Sequence, residues 1–235
     1  MTDRAYDLYL ESGPKRRRTM VHVPALLGCM ATGATTDEAL SATPDAIRAF
    51  QAFLARHGES VTPGAPFETR VAEHITQGDW LGNGSPYIIF ASDWEELTEA
   101  EIEAYLAHLH WLHDDLANWF MRHADALDAT LASGGRTARA IGLHVLGACG
   151  TYFAAALGGA TGFSRLHTRA ERGELALPDA LREAADMVAA RARTATPAER
   201  STVRQLPSGS YTYHKAMRRT LEHAWEHLAE VKRRG

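Results

Sequence analysis

Two histidines, His223 and His227, stand four residues apart in the segment LEHAWEHLAE. On a helix, positions i and i+4 share a face, so the two imidazoles can converge on one ion. Neutral imidazole is a good ligand for zinc and the neighbouring divalent metals. A metal site with an open catalytic position takes three protein ligands, so a third donor is needed. His144, in RAIGLHVLGA, is the leading candidate, on a helical face shared with Ile141, Ala148, Tyr152 and Ala155. A lone histidine on an apolar face is also commonly a core residue bonded to a carbonyl, and that alternative stays open at this point. Cys149 follows His144 by five positions and points about 140° away around the helix, so it reads as a small buried residue. His113 and His123 fall on another apolar stripe, where pocket-lining and hydrogen-bonding roles compete. His108 and His110 read as exposed, and His22, His57, His74, His167 and His214 as surface or lightly buried. Arg218 and Arg219 precede the pair. They read as solvated, with contact to an anionic substrate as the second reading. The string His223-Ala-Trp-Glu226-His227 also matches the inverted zinc-protease pattern, with Glu226 as general base. That pattern takes a further ligand well downstream and the chain ends at Gly235, so the three-histidine reading is preferred.

The elements that must carry these residues are helical. Thr98-Glu-Ala-Glu101 has capping-box spacing, and Ile102, Tyr105, Leu109, Leu112, Leu116, Phe120, Leu127 and Leu131 then trace one apolar stripe up to Gly134-Gly135. A second helix is expected over 137–157 and a third from Pro178 to about Thr194. Thr196-Pro-Ala-Glu199 opens a short turn, and a last helix runs over 211–232. Four helices with one apolar face each suggest a four-helix bundle. Small residues such as Ala148 and Ala155 are expected to be close-packed within it. The uncharged stretch between Arg139 and Arg165 is long enough to cross a bilayer, but its six glycines and His144 favour a tightly packed soluble helix followed by a Gly-rich loop.

The first ninety-odd residues read differently. Ala5–Leu10 and Thr19–Val23 are strand-like around a turn at Ser12-Gly13-Pro14, with the Lys15–Arg18 run as a solvated hairpin edge. Thr35-Thr-Asp-Glu38 opens a helix that Gly58 closes, and Phe67–Ile75 and Tyr87–Phe90 are strand-like again. The expected architecture is therefore an α+β domain over 1–96, a small antiparallel sheet with a helix, followed by an all-α four-helix bundle over 97–235. With 235 residues, a net charge of -4 and two cysteines, a disulfide scaffold and a protein that coats nucleic acid are disfavoured. The interrupted apolar stretch around Met20–Met30 lacks a signal-peptide layout, so a cytoplasmic location is expected.

On these residues the C-terminal region, about 97–235, resembles the DinB/YfiT-like superfamily: a histidine in the second bundle helix, His144, and H-x-x-x-H in the last, His223 and His227. The resemblance implies a four-helix bundle holding a divalent metal, zinc or nickel, on those three histidines. It further implies thiol-dependent S-transfer or a related hydrolysis, a low-molecular-weight thiol as co-substrate, and a homodimer as one assembly. The segment VPALLGCMATGATTDEALSATPDAI, Val23 to Ile47, resembles the HicB-like antitoxin fold, with Ala34 where an acidic residue is common. Its DNA-binding extension is replaced here by the bundle, so nucleic-acid binding is not carried over. The expected function is a metal-dependent enzyme acting on a small molecule. The alternative is a non-catalytic binding or regulatory module related to HicB antitoxins, with a protein or small-molecule partner.

Overall fold

The computed structural model describes residues 4–130 and 134–234, apart from the side chain of Arg16; Leu131 of the expected stripe lies outside them. The chain forms two compact units, Met1–Glu95 with Gln205–Tyr211, and Glu96–Arg204 with Thr212–Gly235.

In the first unit β1 (Arg4–Ser12), β2 (Arg17–His22) and β3 (Met30–Thr35) form an antiparallel meander. Helix α1 (Thr36–Arg56) follows, and then β4 (Phe67–Ile75). Thr35 caps α1, its hydroxyl accepting from Glu38 N at 3.2 Å. The sheet order is β3-β2-β1-β4, and β4 pairs with β1 in parallel. The expectation of an antiparallel sheet is corrected here. A helix between two strands returns the chain to its starting side, so β4 runs in the direction of β3, and hence of β1. Tyr6, Leu8 and Leu10 alternate into the core of β1, and α1 buries Ile47, Phe50, Phe53 and Leu54. Lys15, Arg17 and Arg18 are exposed at the β1–β2 turn.

Tyr87–Phe90, expected as a strand, joins no ladder. Ile88 and Phe90 instead cluster with Leu81 in a loop. The buried Glu11 carboxylate anchors that loop, accepting from Gly84 N at 2.6 Å and Ser85 N at 3.0 Å. Strands β5 (Arg204–Leu206) and β6 (Gly209–Tyr211) form a hairpin. Its residues Gln205–Tyr211 group with the first unit, not with the 97–235 region to which the sequence pattern assigned them. A Cβ at Gly209 would stand 2.7 Å from the Tyr87 carbonyl oxygen, so only glycine lets the hairpin lie this close.

The second unit is built of α2 (Glu99–Arg122), α3 (Ala138–Leu157), α4 (Phe163–Glu171), α5 (Leu177–Arg193), α6 (Pro197–Ser201) and α7 (Tyr213–Lys232). Helix α2 packs on α5 and α7, and α3 packs on α7, α5 and α4. The molecule is α+β overall: a four-stranded mixed sheet with a helix, then a mostly helical region. Both Thr98–Glu101 and Thr196–Glu199 form reciprocal capping boxes. Helix α2 ends at Arg122, shorter than its apolar stripe suggests. His123 leaves helical geometry, stacks on Trp119 at 4.1 Å between ring centroids, and turns Nδ1 onto the Trp119 carbonyl at 2.8 Å. The Gly-rich segment after α3 contains α4, which the sequence pattern did not reveal.

Helix α3 is long and apolar enough to cross a membrane by length and composition, and nearly half of it is buried within the protein. Ile141, Val145 and Phe153 face the interior. A Cβ at Gly142 would stand 2.6 Å from Leu177 Cδ2 and 3.0 Å from Phe120 Cζ, so its glycine serves close helix packing. Ala148 and Ala155, expected to be close-packed, are only half-buried.

Candidate metal centre

Thr137 caps α3, its hydroxyl accepting from Ala140 N at 3.2 Å, and this sets the helix phase that carries His144. Thr212 caps α7 in the same way through Lys215 N at 3.1 Å. The packing of α3 against α7 then brings His144 beside His223 and His227. His223 Nε2 lies 3.0 Å from His144 Nε2 and 3.2 Å from His227 Nε2. All three donor nitrogens lie within 4.8 Å of one another. His144 is exposed, whereas His223 and His227 are buried, so the cluster is open on the α3 side.

These separations suit a cation. For zinc–nitrogen bonds of about 2.05 Å, the edge of a regular tetrahedron is about 3.3 Å. The two resolved Nε2–Nε2 distances lie close to that edge. The protonation pattern suits it too. His227 Nδ1 meets Glu230 Oε2 at 2.7 Å. An ionised carboxylate only accepts, so Nδ1 carries the proton and Nε2 turns its lone pair inward. Carboxylate backing of this kind fixes the orientation and tautomer of a ligating histidine. The three histidines are close enough to hold a metal ion.

The electrostatics keep the rings neutral. Burial, then the Arg136 charge, lowers the His144 pKa, with Glu230 opposing. Burial, then His227, Arg219 and His144, takes His223 well below the ordinary imidazole value. Burial lowers His227 to about 4 in spite of the Glu230 bond. Burial alone would raise the Glu230 carboxyl; its bond to His227 and the charges of Arg136 and Arg234 outweigh that and hold it below the usual range. Neutral imidazole is the ligating form, so no proton has to be displaced near pH 7.

The other expected residues divide as follows. Cys149 is buried, away from the cluster, with Sγ 3.7 Å from His113 Nε2. Glu226 does not belong to the group of converging donors. Arg218 and Arg219 are corrected: both are buried, and each sends Nη1 to Glu222 Oε2 at 2.8 Å. His108 is also corrected, being buried and stacked on Trp111 at 5.2 Å. His22 and His214 are buried as well. His22 Nε2 stands 3.7 Å from Glu11, and His214 Nε2 lies 3.2 Å from the Tyr105 hydroxyl. The reading of the sequence missed Glu230 and Arg136. The signal for Glu230 was its i+3 spacing from His227; Arg136 carries no local signal.

Compared with known proteins, the chain matches no family model, no curated protein and no solved structure.

Proposed function

We propose that the helical unit is a divalent-metal-dependent enzyme of the DinB-like kind, with His144, His223 and His227 as protein ligands. One observation carries the reading: three imidazole Nε2 atoms from two helices converge, one ring held by a carboxylate from behind. The mutual packing of α2, α3, α5 and α7 supports reading the unit as a four-helix bundle. The β-β-β-α-β order of the first unit supports its likeness to the HicB-like fold.

Zinc or nickel in this position supplies Lewis acidity that lowers the proton affinity of a thiol or a water. The reaction assigned is thiol-dependent S-transfer on a small molecule, or a related hydrolysis, by a cytoplasmic protein that can act as a homodimer. The chain's part is geometric. His227 is fixed by Glu230, His223 is enclosed, and His144 stands at the open side where a small molecule enters. With three protein ligands, one tetrahedral position remains for that molecule.

The test is elemental analysis of protein purified without chelator, beside the His144→Ala/His223→Ala/His227→Ala variant. Near-stoichiometric zinc or nickel, absent from the variant, supports the reading and directs thiol-transfer and hydrolase screens. Wild-type protein that takes up no metal after reconstitution would falsify it and favour a binding module.

A further inference from the structure

The same two helices carry a second group toward the candidate centre. On α3, His144, Ala148 and Tyr152 recur every four residues, and on α7 Arg219, His223 and His227 do the same. Such residues stack along one helix face. The two rows face each other. His144 meets His223 and His227 at ring-centroid distances of 4.7 and 5.1 Å, and Tyr152 stands edge-on to His223 at 6.0 Å. The Arg219 guanidinium lies over the Tyr152 ring at 5.8 Å, a second contact that holds the phenol.

Between His144 and Tyr152 the row has only the methyl group of Ala148. Helical side chains lean toward the N-terminus of their helix, so Tyr152 leans over Ala148 toward His144. Tyr152 is half-buried, and none of the described residues hydrogen bonds its hydroxyl. Its ring is fixed on two sides while its polar end is left for solvent or a ligand. Phenols in such places normally find a partner.

We infer that Tyr152 is a substrate-binding residue, resting on the metal-site reading above. Its hydroxyl donates a hydrogen bond to an oxygen acceptor of the molecule held at the three histidines. The substrate class is accordingly a small molecule with a metal-seeking atom and a carbonyl, amide or carboxylate oxygen within two or three bonds of it. Arg219, which lies over the Tyr152 ring, is a positioning residue.

The experiment uses full-length protein loaded with cobalt(II), whose visible spectrum reports ligand binding. Two thiol probes are titrated, mercaptoacetamide, which carries the oxygen, and 1-propanethiol, which lacks it. The ratio of their dissociation constants is compared between wild type and Tyr152→Phe. Phenylalanine keeps the ring and its stacking, and bound cobalt per chain verifies the variant's fold. One hydrogen bond predicts a preference for mercaptoacetamide that falls by about tenfold in Tyr152→Phe. Thiol acidity and intrinsic metal affinity cancel in that double comparison. A ratio that the substitution does not move overturns the role of Tyr152 alone, because the loaded metal still supports the site. Protein that takes up no cobalt overturns the metal reading and this inference together.

Discussion

His113 with Cys149 and the cluster of His144, His223 and His227 sit in the same helical unit, yet they dispose of their ring nitrogens in opposite ways. His113 Nδ1 meets the Leu181 carbonyl at 2.7 Å, so that nitrogen carries the proton and Nε2 is left to accept from the Cys149 thiol at 3.7 Å. Both nitrogens are satisfied by protein, and both side chains are buried. In the cluster the three Nε2 atoms face one another, and His227, whose Nδ1–H donates to Glu230, turns only a lone pair toward the other two. A histidine on an apolar face is thus told from a ligand by where its second nitrogen goes. The closed pair is an element of the core, whereas the open cluster brings three donor nitrogens close enough together to hold a cation.

The largest effect that could break this contrast is on metal content. Protein reconstituted with zinc should retain about one equivalent per chain after desalting, as a single three-ligand site requires. Each of His144→Ala, His223→Ala and His227→Ala should lose most of it while keeping helical circular dichroism. His113→Ala should keep its metal. Loss of metal from a folded His113→Ala protein would erase the distinction between the two groups.

The closed pair should show itself in stability. Burial, against the Leu181 bond, lowers the His113 pKa to about 4. In the unfolded chain an ordinary histidine titrates near pH 6.5, so between those values the unfolded state binds the proton and the native state does not. The contribution is fully present above about pH 6.5 and is lost as pH falls through about 4, about 3 kcal/mol in all. Urea unfolding of metal-free protein at pH 7 and pH 4.5 should show this loss, and His113→Gln should be less stable at pH 7 with a flatter dependence. A wild-type and variant pair with parallel profiles would mean that His113 does not stay neutral in the fold.

The carboxylate behind His227 comes next. Removal of such a partner typically lowers metal affinity by about 10- to 100-fold. Glu230→Gln should therefore weaken zinc binding by about that factor in competition with a chromophoric chelator, while the saturated protein still holds its metal. An unchanged affinity would show that the 2.7 Å contact is a surface ion pair without influence on the donor.

How far these features could be read from the chain depends on the range of the interaction behind them. The Thr98–Glu101 and Thr196–Glu199 caps involve residues three apart, and both form as their spacing predicts. The i, i+4 relation of His223 and His227 is equally local; its meeting with His144 depends on how α3 lies against α7, and spacing alone left a core role for His144 open. The parallel entry of β4 follows from the crossover through α1, which a strand pattern does not encode. Helix α2 ends where His123 leaves helical geometry, although the apolar stripe continues beyond it. Helix α7 departs most from its composition. Lys215, Arg218, Arg219 and Glu222 are all buried, where charged residues ordinarily mark a solvated face. Hydrophobic periodicity reports where apolar groups go and is silent about charges that fold inward, as Arg218 and Arg219 do onto Glu222.

The smallest effect sharpens the contrast from the side of the sulfur. Burial pushes the Cys149 thiol up to about 12, so it is a neutral S–H donor toward a neutral His113 and not a thiolate beside an imidazolium. Thiolate, not thiol, is both the nucleophile and the metal ligand. Cys149→Ser should accordingly leave metal content and affinity unchanged. It should cost about 1 kcal/mol of stability, since a hydroxyl placed to span a sulfur-length contact makes a poorer bond. Cys29 is buried as well, so native protein at pH 8 should be slow to alkylate and should label at both cysteines once unfolded. Fast native labelling at Cys149, or zinc lost on its replacement by serine, would show that its thiol is accessible and ionised, and that the pair with His113 is reactive after all.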